Sequence, residues 1–191
     1  MKLNLGCGEH AWPGWVNMDM APLPGVDVVH DAMKTPWPFE AESFDEIFAS
    51  HFLEHVPHHH ASGRDGFLVV MEEIERVLKP GGRLVARVPH FKNREACDAD
   101  PTHARTLFPR TWLYFASGEP GVPTFYTPAR FDMVSWRTSH YGVRGGERLK
   151  VGKWGLTVHL HHRIPFLRPL LRKPWEAEYV LQKPARPPRP G

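Results

Sequence analysis

Apolar and polar positions along the chain follow two periods, and each marks a kind of element. Lys2–Leu5 is a short apolar run stopped by Gly6 and Gly8, which reads as a buried strand entering a tight turn. Pro13 and Gly14 break the next stretch, so no helix longer than a turn fits before Trp15. The segment "WVNMDM" reads as a second strand. "VDVVHDA" reads as a third, apolar enough to be buried on both faces of a parallel sheet. After the proline-rich loop "TPWPFEAES", "FDEIFAS" is a fourth strand, and "HFLEHV" starts a helical turn.

The clearest helix is "RDGFLVVMEEIERVLK", residues 64–79. Phe67, Val70, Met71, Ile74, Val77 and Leu78 form one apolar stripe, with Glu72, Glu73, Glu75 and Arg76 off it. Lys79 sits at its negative end, and Pro80-Gly81-Gly82 stops it. "RLVARVP" is then a fifth strand. Beyond Pro89 the pattern loosens, with a short helix predicted at "RTWLYFA", helix then strand in "RFDMVSWRTSHYGV", and late strands at "GLTVHLHH" and "AEYVLQK", antiparallel at the edge. Strands alternating with helical stretches predict an α/β fold, a Rossmann-like three-layer sandwich with a mainly parallel sheet and a shortened or absent helix after strand one. One domain over residues 1–182 is expected, with 90–150 as a substrate-lid insertion and 183–191 as a free Pro/Arg tail.

Composition adds few constraints. The 191 residues are 41% apolar and 24% charged, as in an ordinary globular domain. No apolar run approaches the ~20 residues of a membrane span, and the amino terminus has no signal-peptide pattern. Cys7 and Cys97 form no disulfide framework and read as reduced thiols of a cytoplasmic protein. The net charge of +3 is concentrated in "RIPFLRPLLRKPW" and "KPARPPRPG", which attracts anions weakly; nucleic acid is a partner the charge permits and does not favour.

Ligands of open α/β sheets bind outside the carboxyl ends of the strands. Those ends carry Gly6-Cys7-Gly8, Asp19, Asp31, Ser50-His51 and Pro89-His90. Glycines there let a ligand approach backbone N–H groups, and a carboxylate after strand two is placed to accept from a ribose diol. Asp31 is placed to accept from an adenine amino group. Dinucleotide folds set a pyrophosphate on a helix N-terminus and place the acid ~20 residues after the glycines. Here Asp19 follows Gly8 by only eleven residues, leaving no room for that helix. The spacing therefore predicts a ligand with a ribose and base but no phosphate, a description S-adenosylmethionine meets.

Taken together, "LNLGCG…GWVNMDM", "HDAMKTPWPFEAESFDEIFASHFLEHV" and "VLKPGGRLVARVP" resemble class I S-adenosylmethionine-dependent methyltransferases, most closely a small bacterial type 11-like branch. The resemblance covers roughly residues 2–90. It implies that Gly6 and Gly8 line the methionine and ribose side, that Asp19 holds the ribose hydroxyls, that Asp31 with Ala32 contacts adenine, and that Ser50 and His51 lie next to the sulfonium. Cys7 and Met20 complete the donor-binding set, and the amides of Cys7–Glu9 are the expected hold on the methionine carboxylate.

The stretch "VPHF…DADPTHARTLFPRTW" holds the candidate chemistry. His90 or His103 is placed to act as a general base, imidazole being the side chain that titrates near neutrality. A metal-dependent enzyme built on His90, Asp98, Asp100 and His103 is the alternative, although no metal is assigned; a non-catalytic nucleoside-binding protein is another. The histidines of "HFLEHVPHHH" and "HLHHR" read as surface, and Glu54 as a first-turn carboxylate with no catalytic duty. Arg87, Asp100 and Trp112 are the candidate substrate contacts, with structural pairing of Arg87 the competing expectation. Together these predict methyl transfer to an oxygen or nitrogen of a small-molecule or glycan-type acceptor, by in-line displacement, with the oligomeric state open.

Overall fold

In the computed structural model, residues 1–116, 122, 123, 125–140 and 174–185 are described. They build one seven-stranded sheet with β1 Lys2–Leu5, β2 Val16–Asp19, β3 Val28–Val29, β4 Phe44–Ser50, β5 Leu78–Pro89, β6 Asp132–His140 and β7 Pro174–Gln182. The order across the sheet is β3-β2-β1-β4-β5-β7-β6. Strands β1 to β5 pair in parallel, and β7 runs antiparallel to both β5 and β6. The mainly parallel α/β sheet is as predicted. The reversed strand lies one position in from the edge, because β6 passes outside it.

The helix α1, Gly66–Val77, crosses from β4 to β5. Asp65 caps it, accepting from Phe67 N at 2.9 Å. Its stripe of Phe67, Val70, Met71, Ile74 and Val77 is buried against Leu3, Ile47, Ala49, Leu84 and Ala86 of the sheet. The helix stops two residues earlier than its stripe predicts. Leu78 already pairs with Phe44, and Lys79 Nζ reaches Asp45 at 2.8 Å, so Leu78–Gly82 joins β5 through an irregular register. A 3₁₀ helix, Pro109–Phe115, covers the same face, with Phe67 and Trp112 ring centroids 6.1 Å apart.

A five-residue helix, α2 Arg94–Asp98, follows β5, and Phe48 and Arg87 alternate with the core residues of β4 and β5 onto the other face of the sheet. There Trp12 packs on Phe48 at 4.5 Å, and Arg87 lies over the same ring. Two further expectations change. The third strand shrinks to two residues at the open edge, with Val29 55% exposed, because Asp27 turns its carboxylate to the amide of Asn17. The segment 132–140 is strand throughout, paired with β7 over its whole length. "GLTVHLHH" and residues 186–191 lie outside the described residues. Lys183, expected to start a free tail, is tied down: its N–H bonds Gly82 O, and its Nζ bonds Glu75 O and Leu78 O at 2.8 and 3.0 Å. Among the described residues, no helix is long and apolar enough to cross a membrane.

Candidate functional site

The glycine loop follows β1 directly. Gly6 and Gly8 have φ of +65° and +52°, a region that side-chain-bearing residues rarely occupy. A Cβ on Gly6 would stand 2.4 Å from the Phe52 ring, whereas one on Gly8 would meet nothing within 4 Å. The loop thus rests on Phe52 and opens outward at Gly8. In place of a helix, two buried asparagines hold it. Asn4 Nδ2 donates to His10 O and to Asn17 Oδ1 at 2.8 and 3.1 Å. Asn17 Oδ1 also accepts from Trp12 N at 2.7 Å, and its amide nitrogen donates to Trp12 O, Trp15 O and Asp27.

Asp19 closes this loop onto β2. Its carboxylate accepts from Gly8 N at 2.8 Å and from Ala21 N at 2.9 Å. A carboxylate offers about four lone-pair sites, so roughly two remain for a diol. Asp31, past the next strand, accepts only from Met33 N at 2.9 Å among its described side-chain contacts. Ala32 is buried, and its carbonyl takes the Trp37 indole N–H. Trp37 N in turn bonds Glu73 of α1 at 2.8 Å, which fixes this loop to the helix. Met20 is 71% exposed, and Cys7 is buried with its thiol pushed up by burial and by Asp19, so it stays protonated.

At the end of β4, His51 also adopts a left-handed backbone, φ +50°, which costs free energy in a non-glycine residue. Its ring lies between Glu176 at 3.1 Å and Glu54 at 3.2 Å. Those two carboxylates push its pKa up to about 9, against the opposing effect of burial. His51 is therefore a fixed imidazolium at neutral pH. Glu54 and His55 form the 3₁₀ turn Leu53–His55 just after it, and residues 104–105 cross over that turn with both N–H groups on Glu54 O.

The two histidines expected as bases differ. His90 is 3% exposed, stacked on Phe91, and accepts from Lys92 N through Nδ1 at 3.2 Å. A neutral ring so placed keeps its proton on Nε2 and has no lone pair left for a substrate. His103 is the reverse: Nδ1 donates to Cys97 O at 2.7 Å, so Nε2 keeps its lone pair. The expected quartet is split, because Asp98 pairs with Arg94 at 3.1 Å. Asp100 accepts from Thr102 N and Oγ1, which hold its carboxyl below the usual range, and its other oxygen lies 3.9 Å from His103 Nε2. Asp98, Asp100, His103 and Thr106 line a polar depression of about 400 Å³.

Of the expected substrate contacts, Trp112 is corrected, and Arg87 takes the structural pairing that was the competing expectation. Trp112 is 1% exposed and packs between Phe67 and Tyr179, because the 3₁₀ helix turns that side toward the core. Arg87 Nε bonds Glu178 at 2.7 Å across the β5–β7 pair, so its charge is matched within the sheet. The His58–His60 run does not converge: His58 bonds Ala104 O and His60 bonds Met33 O. The asparagine pair, Phe52 and the role of Glu54 escape the sequence analysis. The nearest signal is the occurrence of "LEH" just after β4 and of "DPTH" in the loop beyond β5.

Residues 16–86 match the family model described as a methyltransferase domain. The chain is similar to the solved S-adenosylmethionine-dependent methyltransferase of Archaeoglobus fulgidus at 15% identity over 95% of this chain and 85% of that one, with a TM-score of 0.56. It is similar to one from Methanosarcina mazei at 17% identity, covering 97% and 92%, with a TM-score of 0.53. A complex of a methyltransferase with the Trm112 methyltransferase activator from Haloferax volcanii gives 13% identity, coverage of 96% and 82%, and a TM-score of 0.58. At these identities the likeness is one of fold. No curated protein matches the chain.

Proposed function

We propose that this chain, whose residues 16–86 match a methyltransferase domain, is a class I S-adenosylmethionine-dependent methyltransferase that transfers the sulfonium methyl to an oxygen or nitrogen of a small-molecule or glycan-type acceptor. The observation that supports the donor site is the row of groups at the carboxyl ends of β1, β2 and β3. An open glycine loop, a carboxylate with acceptor sites to spare and a second carboxylate beyond it suit a ribose and a base. Among the described residues the chain from β1 to β2 forms no helix whose N-terminus could face this loop, and a nucleoside without phosphate needs none.

Most of the rate enhancement in such a displacement comes from holding donor and acceptor in line, up to ~7–11 kcal/mol in favourable cases. This fold brings the carboxyl ends of β1, β4 and β5 together, with Phe52 linking the glycine loop to the His51–Glu54 turn. His51 contributes a fixed charge rather than a lone pair. Activation of the acceptor falls to His103, directly or through what its Nε2 holds. Asp98, Asp100, Arg105 and Thr106 line the depression beside it, a small polar surface that offers hydrogen-bond partners to a compact hydroxyl or amine acceptor.

Calorimetry with S-adenosylmethionine and S-adenosylhomocysteine tests the donor site. Binding in the micromolar range is expected, weakened on the order of 10- to 100-fold by Asp19→Ala, the loss of a charge-assisted pair of hydrogen bonds. A folded wild-type chain that binds neither nucleoside, or an Asp19→Ala variant that binds both as before, overturns it.

A further inference from the structure

The side chains of Glu54, His55 and His103 converge beside the depression. One candidate ligand atom from each lies within 4.8 Å of the other two. Glu54 is 1% exposed, and among the described residues neither of its carboxylate oxygens makes a well-directed hydrogen bond. Among the described residues its one ion-pair contact is His51 Nδ1, 3.2 Å from Oε1, which leaves Oε2 unengaged. A buried carboxylate oxygen in that state is costly unless a further group completes it.

Both histidines have their Nδ1 engaged by an outer partner. His103 Nδ1 donates to the Cys97 carbonyl at 2.7 Å. The Thr102 hydroxyl gives its proton to Asp100 at 2.6 Å, so it accepts from His55 Nδ1 at 2.9 Å. In the neutral ring each histidine therefore has the tautomer with the proton on Nδ1 and the lone pair on Nε2. Metal-ligating histidines are held in the same way, with the far nitrogen bonded to a carbonyl or hydroxyl that fixes tautomer and angle. Two imidazoles and one carboxylate bind divalent first-row ions of the zinc and iron(II) kind and leave coordination positions open.

We propose that Glu54, His55 and His103 bind one such divalent ion, with Thr102 and the Cys97 carbonyl as outer partners and the open positions toward the depression. The His103 lone pair is then given to the ion, and the ion acidifies the acceptor's hydroxyl or amine in its place. That last consequence rests on the proposed methyl transfer; the binding of the ion does not.

The test uses the full chain stripped with a chelator, then titrated with Zn²⁺ by calorimetry and with Co²⁺ as a visible spectroscopic probe. One Zn²⁺ per chain and Co²⁺ bands of imidazole ligation are expected. His103→Ala and Glu54→Gln each weaken Zn²⁺, and Thr102→Val, which leaves every ligand in place, weakens it on the order of 10- to 100-fold and shifts the Co²⁺ bands. His59→Ala leaves both unchanged. If Glu54→Gln does not fold, His55→Ala takes its place. A folded wild type that binds neither ion, or binding that survives His103→Ala together with Glu54→Gln or His55→Ala, overturns the site. S-adenosylhomocysteine is titrated into the same preparations. Donor binding without the ion overturns the metal site alone, and ion binding without the donor overturns the methyl-transfer assignment alone.

Discussion

Two connections in the sheet do the same geometrical task with different chemistry. The β4-to-β5 crossover is built on α1, whose apolar stripe is fully buried against the sheet. The β1-to-β2 connection, residues 6–15, has no helix and is held by Asn4 and Asn17 through hydrogen bonds to its backbone. A helix positions its ends through packing, which is non-directional and tolerant. Here directed bonds do the positioning: the asparagine pair holds residues 10–15, Met18 O holds the amides of Gly6 and Cys7, and Asp19 holds that of Gly8, which leaves the outer side of the loop clear at Gly8. A fold that must admit a nucleoside close to the backbone gains from the second arrangement, at the cost of resting on a few buried polar atoms.

The largest expected effect is on the packed connection. Ile74 is 0% exposed, and Ile74→Ala is expected to lower stability by ~2–5 kcal/mol in urea unfolding while the folded fraction binds S-adenosylhomocysteine as before. Asn17→Ala removes the partners of Trp12 N, Trp12 O and Trp15 O. It is expected to cost ~1–3 kcal/mol and, unlike the core change, to weaken the nucleoside in calorimetry. If both variants weaken the ligand alike, the distinction between the two connections fails.

The smallest effect is a pH dependence. The amide and side chain of Asn17 bond Asp27 and hold its carboxyl below the usual range. A carboxyl depressed in the folded state adds stability above its unfolded value, near pH 4, and that stability is lost as pH falls through the lower folded value. Asp27→Asn should therefore flatten the acid limb of the stability curve, read by circular dichroism. An unchanged limb would mean that Asp27 does not support the loop.

Repeating local patterns were legible in the sequence; single contacts between distant residues were not. Strands β1, β4 and β5 and the helix α1 announce themselves by apolar runs and a 3.6-residue stripe, because many residues must agree to bury one face. The extent of "VDVVHDA" misleads, since apolar content cannot say that a strand lies at an open edge. The segment 132–140 carries aromatic and polar residues in either period, and its pairing with β7 decides the outcome. Asp19, Asp31 and the glycines stand at the strand ends where they were expected. Arg87 and Glu178 lie 91 residues apart, and no local pattern foretells that they meet. The same holds for His55 and His103, joined by a turn and a loop that touch only in three dimensions.

The place of β7 bears on how the protein is made. The strand sits between β5 and β6 but comes after both in the chain. During synthesis β5 and β6 leave the ribosome first and must wait, one with a row of amides and carbonyls along Arg83–Pro89 that β7 later pairs, the other with no other strand partner among the described residues. A nascent chain halted before Pro174 is thus a half-sheet with a sticky border, a target for chaperones. The same gap accepts its missing strand, so a fragment ending at residue 140 and a peptide carrying 174–185 form a natural pair for a split-protein design.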